Sequence, residues 1–134
     1  MSHHTAAARV LLCFSEIPAA QAVIRAAAHL ATDRRAELYA LHVERPGAST
    51  RRAPATAAQL AANQRFARDL GAQVTIVQSH RVAEAILAFA REHAIDLIVL
   101  GQSNRAGWKR LIGDNVVKRV VEGSGGVAVE VIER

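Results

Sequence analysis

The sequence has few of the residues that stabilise secreted, aromatic-rich or membrane-spanning proteins. Cys13 is the single cysteine, which excludes an internal disulfide and is consistent with a reducing compartment. One Trp, one Tyr and three Phe stand against 28 alanines, so we expect an aliphatic core and alanine-lined helices. No apolar run approaches the roughly 20 residues that span a bilayer, and no signal peptide is evident. These absences predict a cytoplasmic location without direct membrane insertion.

Lysine is also scarce, yet the chain is basic. Fifteen arginines and two lysines face 12 acids, which gives a formal net charge of +5. The arginines are scattered along predicted helices, and no aromatic residues interleave with them. This pattern indicates a solvated, arginine-rich surface, and we expect no nucleic-acid partner.

Standard motifs for phosphate binding, metal binding and catalysis are missing. The chain contains neither a Gly-x-x-x-x-Gly-Lys-Ser/Thr loop nor a Gly-x-Gly-x-x-Gly sequence after the first strand. His80 and Glu84 have the four-residue spacing of one helix face, but no third ligand accompanies them. No acid pair or Ser-His-Asp set stands out, so neither a metal site nor a catalytic residue is predicted.

What the sequence does contain is a strict alternation of apolar runs and helical patterns. Five runs predict buried strands, at 10–14, 37–43, 73–77, 96–100 and 127–132. Helical spacing predicts helices at 18–32, 54–70, 82–93 and 113–122, with an irregular loop over 46–54. The alternation predicts one α/β domain, a doubly wound, mostly parallel sheet with helices on both faces. This domain covers 9–134, after a flexible tail at 1–8.

The predicted strand exits indicate where a ligand would bind. In a doubly wound sheet, ligands bind at the carboxyl ends of the strands, where the winding reverses. The exits in this chain fall at Ser15, at the backbone around Val43 and Glu44, at His80 and at Gly101. We expect these positions to lie around one crevice.

The loop after Gly101 is the strongest candidate for an anion site. It carries three cations: Arg105, Lys109 and Arg110. Backbone N–H groups at Gly101 and near Gly113 would hold a phosphate, with a cation closing over it. The alternative is a solvated loop before a capped helix, since Asp114 or Asn115 is a good N-cap.

Two other residues each have a functional and a structural interpretation. Trp108, in the same basic loop, either contacts a partner protein or packs onto its own domain as an anchor. Cys13 is either a nucleophile of a redox or metal enzyme, which would require an exposed thiol, or a small buried hydrophobe within the first predicted strand. Nothing in the sequence lowers its pKa. The structural interpretation is favoured for both residues.

Three segments resemble the universal stress protein family, and the resemblance extends over nearly the whole chain. Residues 10–15 (VLLCFS), 38–44 (LYALHVE) and 97–101 (LIVLG) are similar to the family's first, second and fourth strands. The resemblance implies a five-stranded parallel sheet of order 3-2-1-4-5. It also implies a homodimer formed through the last strand, 127–132.

The chain departs from the pattern of the family's ATP-binding members. Those members carry an acid after the first strand and a Gly-x2-Gly-x9-Gly-Ser/Thr loop. Here Ser15 stands in place of the acid, and Asn104 in place of the second glycine. Asp114 replaces the hydroxyl residue after Gly113, the spacing is one residue shorter, and an aspartate at a helix start repels phosphate. By resemblance, a nucleotide would lie against Ser15, the backbone of Val43 and the loop residues Gly101, Asn104 and Gly113.

The departures resemble a sub-branch of the family. Residues 101–112 are similar to the Trp-containing loop of the stress-protein domain in potassium-sensor histidine kinases of the KdpD type, as are 43–46 and 82–86. In those kinases the domain is cytoplasmic, regulatory and scaffolding, and some members receive a cyclic dinucleotide. The resemblance implies a non-catalytic regulatory domain, excised or free-standing, that acts in stress or potassium signalling through protein contacts. The alternative is a protein that binds ATP, ADP or a cyclic dinucleotide, with at most weak hydrolysis.

Overall fold

A computed structural model describes residues 8–102 and 114–133, and within these ranges the chain alternates strands and helices. The strands are β1 (Arg9–Cys13), β2 (Glu37–Glu44), β3 (Gln73–Gln78), β4 (Leu97–Gln102) and β5 (Ala128–Glu133). The helices are α1 (Ala20–Arg34), α2 (Ala48–Arg51), α3 (Pro54–Asp69), α4 (Val82–Glu92) and α5 (Asp114–Gly123). The predicted α/β alternation is confirmed.

All five strands form one parallel sheet in the order β3-β2-β1-β4-β5. The central strand β1 pairs with β2 on one side, Leu12 opposite Ala40, and with β4 on the other, Leu12 opposite Val99. The chain therefore winds away from β1 in both directions. The order 3-2-1-4-5 implied by the resemblance is confirmed.

The core consists of two apolar layers, one on each face of the sheet. Side chains alternate between the faces along a strand. Val10 and Leu12 therefore pack with α1 and α3, whereas Leu11 packs with α4 and α5. This burial on both faces explains why the strands appear in the sequence as continuous apolar runs.

Several predicted boundaries differ from those in the structure. Pro18 lies in a turn that precedes α1, because the N–H of Ala20 bonds to the carbonyl of Ile17 at 3.1 Å. The loop predicted over 46–54 contains the short helix α2, which follows Gly47 at a φ of 85°. Gly101 lies inside β4 and not after it. Gly71, at a φ of 96°, follows the end of α3, as the sequence predicts.

None of the described helices combines the length and hydropathy that a membrane crossing requires.

Candidate functional site

A crevice of about 750 Å³ opens at the carboxyl ends of β1, β2 and β4. It lies at the position where the winding of the sheet reverses, which is the usual ligand position in this architecture. Three of the predicted site residues, Ser15, Val43 and Gly101, line it together, and His80 lines it as well. The structure therefore brings the predicted strand exits to one cavity.

Gly101 allows β4 and α1 to approach each other closely. A Cβ atom at this position would lie 2.7 Å from Cγ2 of Val23, a buried residue of α1. The glycine is thus required by packing beneath the crevice. Because any substitution there would disturb the packing of α1 on β4, such a variant would not report on ligand binding alone.

Arginines dominate the charge of the crevice. Among the described lining residues, two are glutamates and five are arginines: Arg45, Arg51, Arg52, Arg81 and Arg119. Arg119 forms a long, exposed ion pair with Glu84, at 3.7 Å. Such a lining favours an anionic ligand.

Arg52 differs from the other arginines because its side chain is only 8% exposed. Its Nε donates to Oε2 of Glu16 at 2.6 Å, and its Nη2 donates to Oε1 of Glu44 at 2.7 Å. Burial lowers the pKa of Arg52, but the hydrogen bonds to Glu44 and Glu16 outweigh it and hold the pKa above its ordinary value. Arg52 thereby links the segment before α3 to the ends of β1 and β2.

His42 lies beside this group and is buried. Its Nδ1 is 2.9 Å from the carbonyl oxygen of Phe14, and its ring lies 5.6 Å from the Phe14 ring. Its Nε2 is buried without a hydrogen-bond partner in the described parts of the chain and lies 3.6 Å from Oε1 of Glu44. His42 is thus a buried residue near the crevice end of β2.

Asn63, in the middle of α3, is completely buried and holds the exit of β1. Its Nδ2 donates to the carbonyl oxygens of Ser15 and Ile17, at 2.9 and 3.0 Å. Its Oδ1 accepts from Nε2 of Gln59 at 2.9 Å. The backbone of Ser15 is thus fixed by a side chain that is distant in sequence.

Cys13 ends β1 and lines the crevice. The residue as a whole is half-buried, but removal of its thiol from water raises the pKa to about 12. The thiolate is the nucleophilic form, so at neutral pH this cysteine is held in its unreactive state. The structure thus supports the interpretation of Cys13 as a small apolar residue.

We expect a thiol reagent to label Cys13 in the folded protein at least about a hundredfold more slowly than in the unfolded chain near pH 8. The reason is the sign of the pKa shift, because a pKa raised to about 12 leaves the folded thiol protonated at that pH. The measurement compares labelling rates in buffer and in concentrated urea. Equal rates would contradict the assignment and restore a redox role as a hypothesis.

His80 and Glu84 do not share a helix. His80 lies ahead of α4, which begins at Val82, whereas Glu84 is in its first turn. The predicted four-residue face is therefore wrong, because the helix begins two residues after His80. No group of three or more metal-ligating side chains occurs in the described ranges.

The remaining predicted residues of the basic loop lie outside the described residues. These are Asn104, Arg105, Trp108, Lys109, Arg110 and Gly113. Asp114 and Asn115 are the first two residues of α5, so neither precedes the helix as an N-cap would. Val116 and Val117 of the same first turn line the crevice.

The sequence prediction missed Glu16, Arg52 and Asn63, and it named Glu44 only for its backbone at a strand exit. Glu16 and Glu44 follow or end predicted strands, so their place at the sheet edge was available from the pattern. No sequence pattern marks Arg52 or Asn63. The residues at the sheet edge to which they donate hydrogen bonds lie 8 to 48 positions away in the sequence.

The sequence is similar to one protein family and to part of two longer sensor proteins. The model of the universal stress protein family matches residues 7–125. The sensor protein KdpD of Mycobacterium tuberculosis is 33% identical over 124 residues, which is 92% of this chain and 14% of that protein. The Escherichia coli KdpD sensor is 32% identical over 102 residues, 75% of this chain and 11% of that protein. The chain therefore spans 14% or less of the length of these curated relatives.

Solved structures share the fold. A universal stress protein in complex with cAMP superimposes with a TM-score of 0.70 at 20% identity, covering 96% of this chain and 98% of that one. The Archaeoglobus fulgidus universal stress protein in complex with dAMP gives a TM-score of 0.65 at 19% identity, covering 96% and 99%. At these identities the likeness shows the architecture alone.

Proposed function

Because the chain belongs to the universal stress protein family, we propose that it is a non-catalytic regulatory domain whose crevice binds an anionic ligand of the nucleotide class. The observation that carries the proposal is the arginine-rich cavity at the ends of β1, β2 and β4. Two solved relatives of the same fold are complexes with cAMP and dAMP, which supports a nucleotide as the ligand. The ligand class proposed here is ATP, ADP or a cyclic dinucleotide.

A regulatory role fits the chemistry of the crevice better than catalysis. The Cys13 thiol is held in its protonated form. His42 directs one ring nitrogen to the carbonyl oxygen of Phe14, and not to a hydroxyl group that it would activate. A bound anion would instead connect the segment containing Arg45 to β1 and β4, which is a change that a partner protein can sense.

The relatives named KdpD support a place in signalling. They are named sensor proteins, and this chain matches 14% or less of each. We propose that the domain acts in stress or potassium signalling in the cytoplasm, either alone or as part of a membrane sensor kinase. Protein contacts would carry the signal, with Trp108, Arg105, Lys109 and Arg110 as candidate contacts.

Homodimerisation through the last strand is part of the proposal. β5 lies at one edge of the sheet and pairs only with β4 among the described strands. Such an edge is open to pairing with a second copy. Residues 127–132 would form this contact.

A second candidate function is a scaffold that binds no nucleotide. Asn104 in place of a glycine and Asp114 in place of a hydroxyl residue favour it, because an aspartate at a helix start repels phosphate. In that case the basic loop and Trp108 would face a protein.

Calorimetric titration with ATP, ADP and cyclic di-adenylate separates the two functions. We expect micromolar binding of at least one of them, weakened at least about tenfold by replacing Arg45 and Arg81 with Gln, since charge-assisted contacts to phosphate are lost. The matched control replaces Arg34 and Arg91, exposed arginines in the last turns of α1 and α4, and should retain affinity. No binding of any nucleotide would reject the proposed ligand class and leave the scaffold function.

A further inference from the structure

The carboxylate of Glu44 lies between two groups that can carry positive charge. It ends β2, and its side chain is only 7% exposed. The Nη2 of Arg52 contacts its Oε1 at 2.7 Å, and Nε2 of His42 lies 3.6 Å from the same oxygen. In the present arrangement Arg52 donates a hydrogen bond to Glu44, whereas His42 lies near Glu44 without a hydrogen bond to it.

The contact at Nδ1 determines which nitrogen of the neutral His42 ring carries the hydrogen. A carbonyl oxygen only accepts, so the 2.9 Å contact with Phe14 places the hydrogen on Nδ1. In the neutral ring, Nε2 then carries a lone pair that is buried and has no hydrogen-bond donor among the described residues. Protonation of Nε2 would give it a donor and bring an imidazolium within ion-pair distance of Glu44.

The ion-paired side chains beside His42, those of Glu16, Glu44 and Arg52, carry a net negative charge. Glu44 lies on the same strand, Glu16 follows β1, and Arg52 precedes α3. With a neutral imidazole, one guanidinium and two carboxylates sum to −1. The described residues that α1 contributes to the crevice lining are apolar. Apart from the Cys13 thiol, the remaining charged or titratable side chains of the described lining are Arg45, Arg51, His80, Arg81 and Arg119.

We infer that Arg52 and His42 are alternative partners of Glu44. When an anion in the crevice draws the guanidinium of Arg52 away, Nε2 of His42 takes up a proton from solvent and replaces Arg52 at the carboxylate. A buried carboxylate without a cation is costly, and this exchange avoids that state. The inference rests on the proposed function, because it requires an anion to enter the crevice, and it makes ligand binding dependent on pH.

The exchange determines the direction in which pH changes the affinity for the anion. The complex holds one more proton than the free protein, so lowering the pH favours binding. Affinity for the anion should therefore rise as the solution becomes more acidic, through the range in which histidine titrates.

The first test needs no ligand. NMR titration of the His42 ring should show the Nδ1–H tautomer in the native protein at neutral pH. Replacing Arg52 with Met should raise the pH at which the ring is half-protonated, because Glu44 then lacks its cation. The double variant R52M/E44Q should reverse the rise. An Nε2–H tautomer, or equal midpoints in R52M and R52M/E44Q, would overturn the inference.

A second variant keeps this test decisive if R52M does not fold. Replacing Glu44 alone with Gln retains Arg52 and removes the carboxylate beside His42, so the midpoint should fall below that of the native protein. An unchanged midpoint in E44Q would equally reject the exchange.

The second test uses ADP as the probe. Calorimetry in buffers of different ionisation enthalpy measures proton uptake on binding, which should be present near pH 7.5 and lost in His42→Gln. His29→Gln, an exposed position on α1, is the matched control and should retain the uptake. Binding without uptake would overturn the exchange and leave the proposed function intact. Absence of ADP binding would count against ADP as the ligand, while the ligand-free titration would still decide the exchange.

Discussion

Replacing Arg52 with Met is expected to lower the free energy of unfolding by at most about 3–5 kcal/mol, the usual cost of leaving one partner of a buried ion pair alone. The loss is smaller to the extent that a protonated His42, whose Nε2 lies 3.6 Å from Oε1 of Glu44, replaces the guanidinium. The physical cause is Glu44, whose buried carboxylate would lose the cation that contacts it at 2.7 Å. Glu16 contributes less, because its side chain is 36% exposed and water can replace the guanidinium. Urea denaturation near pH 7.5 measures the loss.

Arg51 provides the matched control for this experiment. It is the adjacent arginine, but it is exposed, and within the described ranges the one hydrogen bond of its side chain is a 3.5 Å contact with the carbonyl oxygen of Pro46. Replacing it with Met should change stability by no more than about 0.5 kcal/mol. The double variant R52M/E44Q should recover much of the loss, since the buried charge is then removed. Equal losses at both arginines would show that Glu44 is not the cause.

Replacing Asn63 with Leu, a residue of similar size, should cost about 2–4 kcal/mol, because each buried acceptor left without a donor costs about 1–3 kcal/mol. The side chain is fully buried and donates to two backbone carbonyls, those of Ser15 and Ile17. Apolar burial of leucine offsets part of the loss. Thermal or urea unfolding measures it.

Gln59 controls for the third hydrogen bond of this group. It donates to Oδ1 of Asn63 from a partly exposed position. Gln59→Leu removes that bond alone and should cost about 1 kcal/mol or less. Since Asn63 positions the backbone at Ser15, N63L should also weaken ligand binding, whereas Q59L should not. A stable N63L variant would mean that the exit of β1 holds its shape without this side chain.

The general architecture could be predicted because the patterns that indicate it lie within short stretches of the sequence. A parallel strand covered on both faces must be apolar at every position, so β1 and β4 stand out as continuous runs. Gly71 marked the end of α3 because a left-handed residue there favours glycine. The crevice followed from the topology, since parallel strands bring all their carboxyl ends to one edge.

The rest depends on contacts between distant residues or on conformations that the sequence does not signal. Arg35 and Ala94 adopt left-handed backbone, with φ of 53° and 52°, although neither is glycine or asparagine. The sequence therefore carries no residue that marks the ends of α1 and α4, and both predicted ends differ from those in the structure. The ion pairs of Arg52 join residues 8 and 36 positions away. Such pairing arises from packing and has no periodicity to reveal it.

NMR mapping of a bound nucleotide tests the central claim most directly. Backbone amide signals would be followed while ADP or cyclic di-adenylate is added to the isotope-labelled protein. The predicted result is a set of shifted signals around Ser15, Val43 and Gly101, at the crevice end of the sheet. Signals near Arg35 and Gly71, at the opposite end, should stay in place. Shifts confined to that opposite end, or no shifts with any nucleotide, would contradict the account.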